Sequence, residues 1–85
     1  MKKQANIILN NGISITITDK DTFKVQHIDE VNTLQELCRF ILSHDYETCV
    51  IENHLHDGSY LEYYLSRDKI TWCYYSELKD EDGSN

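Results

Sequence analysis

The 85-residue sequence has no long apolar run, since a polar residue interrupts each apolar segment after a few positions. A helix needs about 20 mostly apolar residues to cross a bilayer. The sequence therefore predicts no membrane-spanning helix. A signal peptide is not expected either, because asparagine interrupts the apolar residues that follow Lys2 and Lys3 too early.

Cysteine is scarce and shows no pairing pattern. Cys38, Cys49 and Cys73 form no C-x-x-C motif, and their odd number leaves one thiol over in any disulfide scheme. Such usage is typical of proteins in a reducing compartment. We therefore predict free, buried thiols and a cytoplasmic location.

Glycine is also scarce, and no catalytic or cofactor motif is present. Gly12 and Gly58 fall in predicted turns and Gly83 falls near the end of the chain, which leaves no glycine-rich loop to bind a phosphate group. The sequence thus predicts neither an enzyme nor a cofactor.

Basic residues are nearly absent from the middle of the chain. Residues 26–66 hold eight carboxylates and one basic residue, Arg39, whereas the two flanking segments are closer to balance. The net charge of −7 disfavours direct binding to nucleic acid or to an anionic membrane. A charged partner is expected to be a basic protein.

The first half of the chain predicts a β-hairpin followed by a third strand. Residues 5–18 contain an Asn-Asn-Gly turn followed by an arm of alternating β-branched residues, and a three-residue loop at 10–12 pairs the apolar residues of the two arms on one face. A two-residue loop would mix the faces. The third strand contains Phe23 and Val25, and the reverse face of this meander is expected to be solvated. The predicted pairs are Leu9 with Ile13, Ile7 with Ile15 and Ala5 with Ile17; the reverse face holds Asn6, Ser14, Thr16, Thr22 and Lys24.

A helix is predicted next. Thr33 and Glu36 have the spacing of a capping box, and apolar residues then recur at helical spacing. The predicted buried stripe contains Leu34, Leu37, Cys38, Ile41 and Leu42.

The second half predicts another meander, with a His56-Asp57-Gly58 loop and a further turn near Arg67. The sequence therefore predicts a single α+β domain over residues 1–76, ordered βββ-α-βββ, with an acidic flexible tail at 77–85. Whether the two meanders share one sheet stays open. The face that the helix is expected to cover contains Cys49, Ile51, Leu61, Tyr63, Leu65, Ile70, Trp72 and Tyr74.

The opposite face of the second meander has an unusual composition. Glu52 lies opposite Glu62 in the predicted register, and facing like charges destabilise a sheet. One interpretation is a metal site that uses Glu52, Glu62 and His54. Another is an acid–base pair in which repulsion raises the pKa of one carboxyl group. The whole face is predicted to hold Val50, Glu52, His54, Tyr60, Glu62, Tyr64, Thr71, Cys73 and Tyr75, with Cys73 or His56 as further metal ligands.

A third interpretation, protein binding, fits the residue types best. Tyrosines offer stiff apolar area with polar tips, and carboxylates provide a negative field around them. Self-association of the tyrosine face in a homodimer is the structural alternative. The predicted partner-binding residues are Glu52, His54, Asp57, Tyr60, Glu62, Tyr64 and Tyr75.

In size and charge the chain resembles phage-type anti-defence proteins, such as anti-CRISPR and anti-restriction inhibitors. Its composition, without proline and with one alanine, is also typical of an AT-rich bacterial or phage genome. The resemblance implies an inhibitor that occupies a basic, nucleic-acid-binding surface of a larger enzyme. An immunity or antitoxin protein that neutralises a cationic nuclease is the alternative with the same electrostatics.

Overall fold

The structure is a computed structural model and describes residues 1–79. Within this range the chain forms six strands and one α-helix, which confirms the α+β class and the predicted order of elements. The strands are β1 (Lys2–Leu9), β2 (Ser14–Thr18), β3 (Thr22–Val25), β4 (Thr48–His54), β5 (Tyr60–Ser66) and β6 (Ile70–Leu78), and the helix is α1 (Leu34–Ser43).

The strands form two antiparallel sheets of three. Sheet A has the order β2-β1-β6 and sheet B has the order β3-β4-β5. Both predicted hairpins are confirmed, but the third strand of each predicted meander is in the other sheet: β3 pairs with β4, and β6 pairs with β1. The two meanders therefore exchange strands, and their inner faces enclose one hydrophobic core.

Both hairpin loops have the predicted three-residue form. The amide of Leu9 donates to the carbonyl of Ile13 at 2.8 Å, and the amide of Leu55 donates to that of Ser59 at the same distance. Gly12 and Gly58 have φ values of +89° and +94°. Each loop therefore depends on a backbone conformation that side chains with a Cβ rarely adopt.

We expect Gly12→Val and Gly58→Val each to lower the free energy of unfolding by about 1–2 kcal/mol or more, because a β-branched residue is strained at positive φ. A Cβ at either position would meet no atom within 4 Å, so the cost is conformational and not steric. Asparagine tolerates this conformation and is the matched control. Chemical denaturation in which the valine and asparagine variants lose equal stability would contradict the assignment.

Helix α1 begins with the predicted capping box, in which the amide of Glu36 donates to Thr33 Oγ1 at 3.1 Å and Glu36 Oε1 accepts from the amide of Thr33. It ends at His44, which has a φ of +62°. The prediction that Leu42 belongs to the buried stripe is wrong, since this side chain is exposed. The residues that α1 buries are Leu34, Leu37, Cys38 and Ile41.

The helix makes its main contacts with β1 and β6, and the predicted covered face is correct only in part. Cys49, Ile51 and Leu65 lie in the same core as the helix, whereas Trp72 and Tyr74 do not. The reason is the placement of β6 in sheet A, which turns Cys73 and Tyr75 toward the core and leaves Trp72 and Tyr74 exposed. The predicted orientation of all four side chains is therefore wrong. Asn6, predicted on a solvated face, is buried between its cross-strand neighbours Thr16 and Tyr74.

Strand β6 continues past the predicted end of the domain at residue 76. Glu77 and Leu78 pair with Lys3 and Lys2 of β1, so these two residues belong to the sheet and not to a tail. The remainder of the predicted tail, residues 80–85, lies outside the described residues. None of the helices within residues 1–79 has the length and apolarity to cross a membrane.

Candidate binding surface on sheet B

The outer face of sheet B brings together five of the seven residues predicted to bind a partner. The predicted pairing of Glu52 with Glu62 is confirmed, and His54 pairs with Tyr60 in the next row of the same face. Tyr64 lies two positions beyond Glu62 on β5. Strand β3 adds Lys24, directly across from Glu52 on its other side, which the sequence had placed elsewhere. One row of this face thus carries an ammonium group and two carboxylates.

Three residues on β5 form a hydrogen-bonded unit, which we call the Tyr–Glu ladder: Tyr60, Glu62 and Tyr64. The hydroxyl groups of Tyr60 and Tyr64 each donate to one oxygen of Glu62 at 2.5 Å. These hydrogen bonds lower the pKa of Glu62, raise that of Tyr60 to about 12 and raise that of Tyr64. The rings stay open to solvent, with 44% of Tyr60 and 72% of Tyr64 exposed.

The facing carboxylates have partners of their own, which explains how the sheet tolerates them. Gln26 Nε2 donates to Glu52 Oε2 at 2.7 Å, and Lys24 supplies a positive charge in the same row. The hypothesis that repulsion raises the pKa of one carboxyl group is wrong for Glu62, whose pKa is lowered by the two tyrosine hydroxyls. An acid that is ionised more easily than usual is a poor proton donor at neutral pH.

His54 and Asp57 extend the surface toward the β4–β5 loop. The rings of His54 and Tyr60 lie 4.6 Å apart between centroids, in a tilted arrangement. Asp57 Oδ1 accepts a hydrogen bond from the amide of Ser59 at 2.8 Å, and this bond lowers its pKa. His56 instead contacts Asp21 at 3.0 Å, which ties the loop to the β2–β3 turn.

The residues proposed as metal ligands do not converge. Cys73 is buried in sheet A and His56 contacts Asp21, so neither joins Glu52, Glu62 and His54. Across residues 1–79, no group of three or more histidine, cysteine or carboxylate side chains has an arrangement that could hold a metal ion.

Cys73 and Tyr75 are wrongly placed by the sequence prediction. Both are on β6, with Cys73 in the core and the Tyr75 hydroxyl donating to Glu77 Oε2 at 2.6 Å. A hydrogen bond with Cys38, together with burial, raises the pKa of the Cys73 thiol. Tyr75 is therefore not part of the outer face of sheet B, and Cys73 is a poor nucleophile there.

A shallow groove beside Tyr64 was not predicted from the sequence. It has a volume of about 500 Å³ and lies where the loop of the first hairpin approaches the end of β5. A groove next to an exposed tyrosine offers a partner both a protruding ring and a place to insert a side chain. Its lining residues are Leu9, Asn10, Asn11, Tyr64, Leu65, Ser66 and Lys69.

The ladder makes a prediction about tyrosine ionisation. We expect Glu62→Gln to lower the pKa of Tyr60 from about 12 toward its ordinary value of 10.0. The variant lacks the carboxylate that accepts the hydrogen bond of the neutral hydroxyl and repels the negative charge of the ionised tyrosine. The neutral form of Tyr60 stabilises the fold fully below pH 10 and this contribution is lost as the pH rises toward 12. NMR titration of isotope-labelled tyrosine rings measures each site.

Tyr75 is the internal control for this titration, since its pKa of about 12 depends on Glu77 and not on Glu62. Glu62→Gln should leave Tyr75 unchanged, whereas Glu77→Gln should shift Tyr75 alone. Equal titration of Tyr60 in the wild type and in Glu62→Gln would show that the ladder does not form in solution.

Comparison with protein-family models, with curated proteins and with solved structures finds no match. The functional argument therefore rests on the residues of this surface. Their arrangement offers two aromatic rings and a carboxylate held between them on the edge strand β5, with a groove beside them.

Proposed function

We propose that this chain is a non-enzymatic acidic binding protein, and that it blocks a basic, nucleic-acid-binding surface of a partner protein through the outer face of sheet B. An anti-defence inhibitor of a nuclease has this character. The proposal takes the Tyr–Glu ladder as the centre of the contact, with Glu52, His54 and Asp57 around it.

The observation that carries the proposal is the ladder itself. Tyr64 is 72% exposed on its strand, and the hydrogen bond that its hydroxyl donates to Glu62 favours one orientation of the ring. Ordering such side chains before binding reduces the entropy lost on association. Tyrosine is also among the residues that contribute most to binding energy at protein interfaces.

The negative net charge favours a basic partner, and the shape of the outer face of sheet B supports the proposal as well. The outer face of sheet B has two carboxylates, Glu52 and Glu62, against Lys24, while the chain as a whole carries −7. Long-range attraction therefore comes from the whole molecule, and short-range contact comes from the ladder. A cationic surface that normally holds phosphate groups is the best complement.

The test is capture by the immobilised full-length chain, followed by elution. We expect a basic protein to be retained, to be released progressively as salt concentration rises, and to be displaced by added DNA or RNA. Glu62→Lys together with Tyr64→Ala should abolish its retention, whereas Glu30→Lys, which makes the same charge change on an exposed loop, should keep it.

Three outcomes would contradict the proposal: binding that salt does not weaken, binding that nucleic acid does not displace, or equal capture by the double variant. The captured partner could instead be a nuclease toxin that is produced together with this chain. In that case the proposed binding surface stands, and the role of the chain is that of an immunity protein.

A further inference from the structure

The edge of sheet A formed by β6 differs from the other sheet edges of residues 1–79. An edge strand has unpaired amide and carbonyl groups, and proteins usually protect it with short length, charge or proline. Strand β3 has four residues and includes Lys24, β2 has five residues, and β5 carries Glu62. Strand β6 has nine residues, and its first seven, from Ile70 to Ser76, include neither a charged residue nor proline.

The side chains that β6 contributes to the outer face of sheet A are largely apolar. Trp72 is 58% exposed and Tyr74 is 42% exposed, and Leu78 follows on the same side of the strand. Their neighbours on β1 are Ile8, Asn6 and Lys2, respectively. An edge that is both open and apolar is a surface that another strand can extend.

The charge distribution permits a second copy of this chain to supply the added strand. A chain with a net charge of −7 repels its own copies wherever carboxylates face each other. The described outer face of sheet A has no carboxylate. Two copies can therefore approach through this face without like-charge contacts among its side chains. This face is formed by alternate residues of β1, β2 and β6, among them Gln4, Asn6, Thr16, Trp72 and Tyr74.

We propose that a second copy of the chain pairs with β6 edge to edge, in antiparallel fashion about a two-fold axis, to give a continuous six-stranded sheet. Two identical strands are self-complementary in this arrangement, because each position contacts its symmetry-related counterpart. The pairing satisfies the backbone groups of both edges and brings Trp72 and Tyr74 of each copy beside those of the other.

This dimer differs from the self-buried tyrosine face that the sequence suggested. It uses sheet A and leaves the Tyr–Glu ladder of each copy exposed on sheet B. The inference does not depend on the proposed function, and its failure would leave that function unaffected. If both hold, one dimer presents two copies of the partner-binding surface.

The first test uses the unmodified full-length chain. Analytical ultracentrifugation should show a monomer that converts to a dimer as concentration rises. Over the same range the fluorescence of Trp72, the single tryptophan of the sequence, should shift to shorter wavelength. Hydrogen exchange should slow at the β6 amides that point away from β1 and stay unchanged at amides of β5.

The second test adds charge to the edge. Tyr74→Lys should weaken dimerisation about ten-fold, because the like charge enters twice in a symmetric pairing. Leu42→Lys, which adds the same charge at an exposed apolar residue of α1, is the matched control and should dimerise as the wild type does. Circular dichroism verifies that both variants fold.

Several results would overturn the inference. These are a monomer at every concentration, a dimer that Leu42→Lys disrupts and Tyr74→Lys does not, or protection, in the monomer, of the β6 amides that point away from β1. The last result would mean that another part of the same chain covers the edge. A Trp72 shift caused by an oligosaccharide or oligonucleotide, with the protein still monomeric, would assign the face to that ligand instead.

Discussion

Ile7→Ala is expected to lower the free energy of unfolding by about 2–5 kcal/mol, the range for truncating a fully buried isoleucine. Ile7 is 0% exposed and lies at the centre of sheet A, with Ile15 of β2 on one side and Cys73 of β6 on the other. Small domains have a total stability of about 5–15 kcal/mol, so this single change removes a large share of it.

The matched control is Ile13→Ala, in the same hairpin. Ile13 is 58% exposed, and its truncation should change stability by less than about 0.5 kcal/mol. Urea denaturation of both variants measures the difference. A similar loss for Ile7 and Ile13 would contradict the placement of β1 between β2 and β6, on which the orientation of every strand in sheet A depends.

The second large effect is expected at the proposed partner-binding surface. Tyr64→Ala and Glu62→Lys should each weaken binding of the basic partner by about ten- to hundred-fold, as truncation at the centre of an interface commonly does. Loss of the Tyr64 ring should act mainly by faster dissociation, since the ring makes short-range contacts. Charge reversal at Glu62 should also slow association.

Two control variants distinguish a specific effect at this surface from the effect of net charge or of losing any exposed aromatic ring. Glu30→Lys makes the same change in net charge on an exposed loop, and Tyr74→Ala removes a half-exposed ring from sheet A. Both should bind the partner with nearly wild-type affinity. Surface plasmon resonance at two salt concentrations measures both rates. Equal weakening by Glu30→Lys and Glu62→Lys would show that only net charge matters.

Short-range rules account for what could be predicted from the sequence. The two three-residue loops follow from the positions of Gly12 and Gly58, and each loop length then fixes the register of its hairpin. The pairing of Glu52 with Glu62 was predictable for this reason. The start of α1 was predictable from Thr33 and Glu36, because a capping box is a local contact.

Long-range pairing was not predictable in the same way. The links between β2 and β3 and between β5 and β6 are short enough for simple turns, yet the chain crosses between sheets at both. In β6, Trp72 and Tyr74 lie on one face, and Cys73 and Tyr75 lie on the other. Both faces therefore have apolar side chains, and the alternation cannot show which face is buried. Cys73 and Tyr75 were misplaced for this reason.

The candidate surface in the structure differs from the predicted one because the strands pair in a different order. Because β3 pairs with β4, Lys24 lies across from Glu52 and Gln26 donates a hydrogen bond to it, so the two carboxylates do not form an isolated pair. No periodicity within residues 22–26 could have shown this, since it depends on a partner strand more than 20 residues away. The position of Tyr60 and Tyr64 on the same face as Glu62 was predicted correctly, because an even spacing along one strand places side chains on one face.

Carbodiimide cross-linking of the chain to its captured partner is the most direct test of the central claim, that the outer face of sheet B is the partner-binding surface. The reagent joins a carboxylate to a lysine in direct contact with it, and mass spectrometry then identifies both residues. We expect cross-links from Glu62 and Glu52 to lysines of a nucleic-acid-binding surface. Cross-links confined to carboxylates elsewhere, such as Asp29 and Glu30, would contradict the claim.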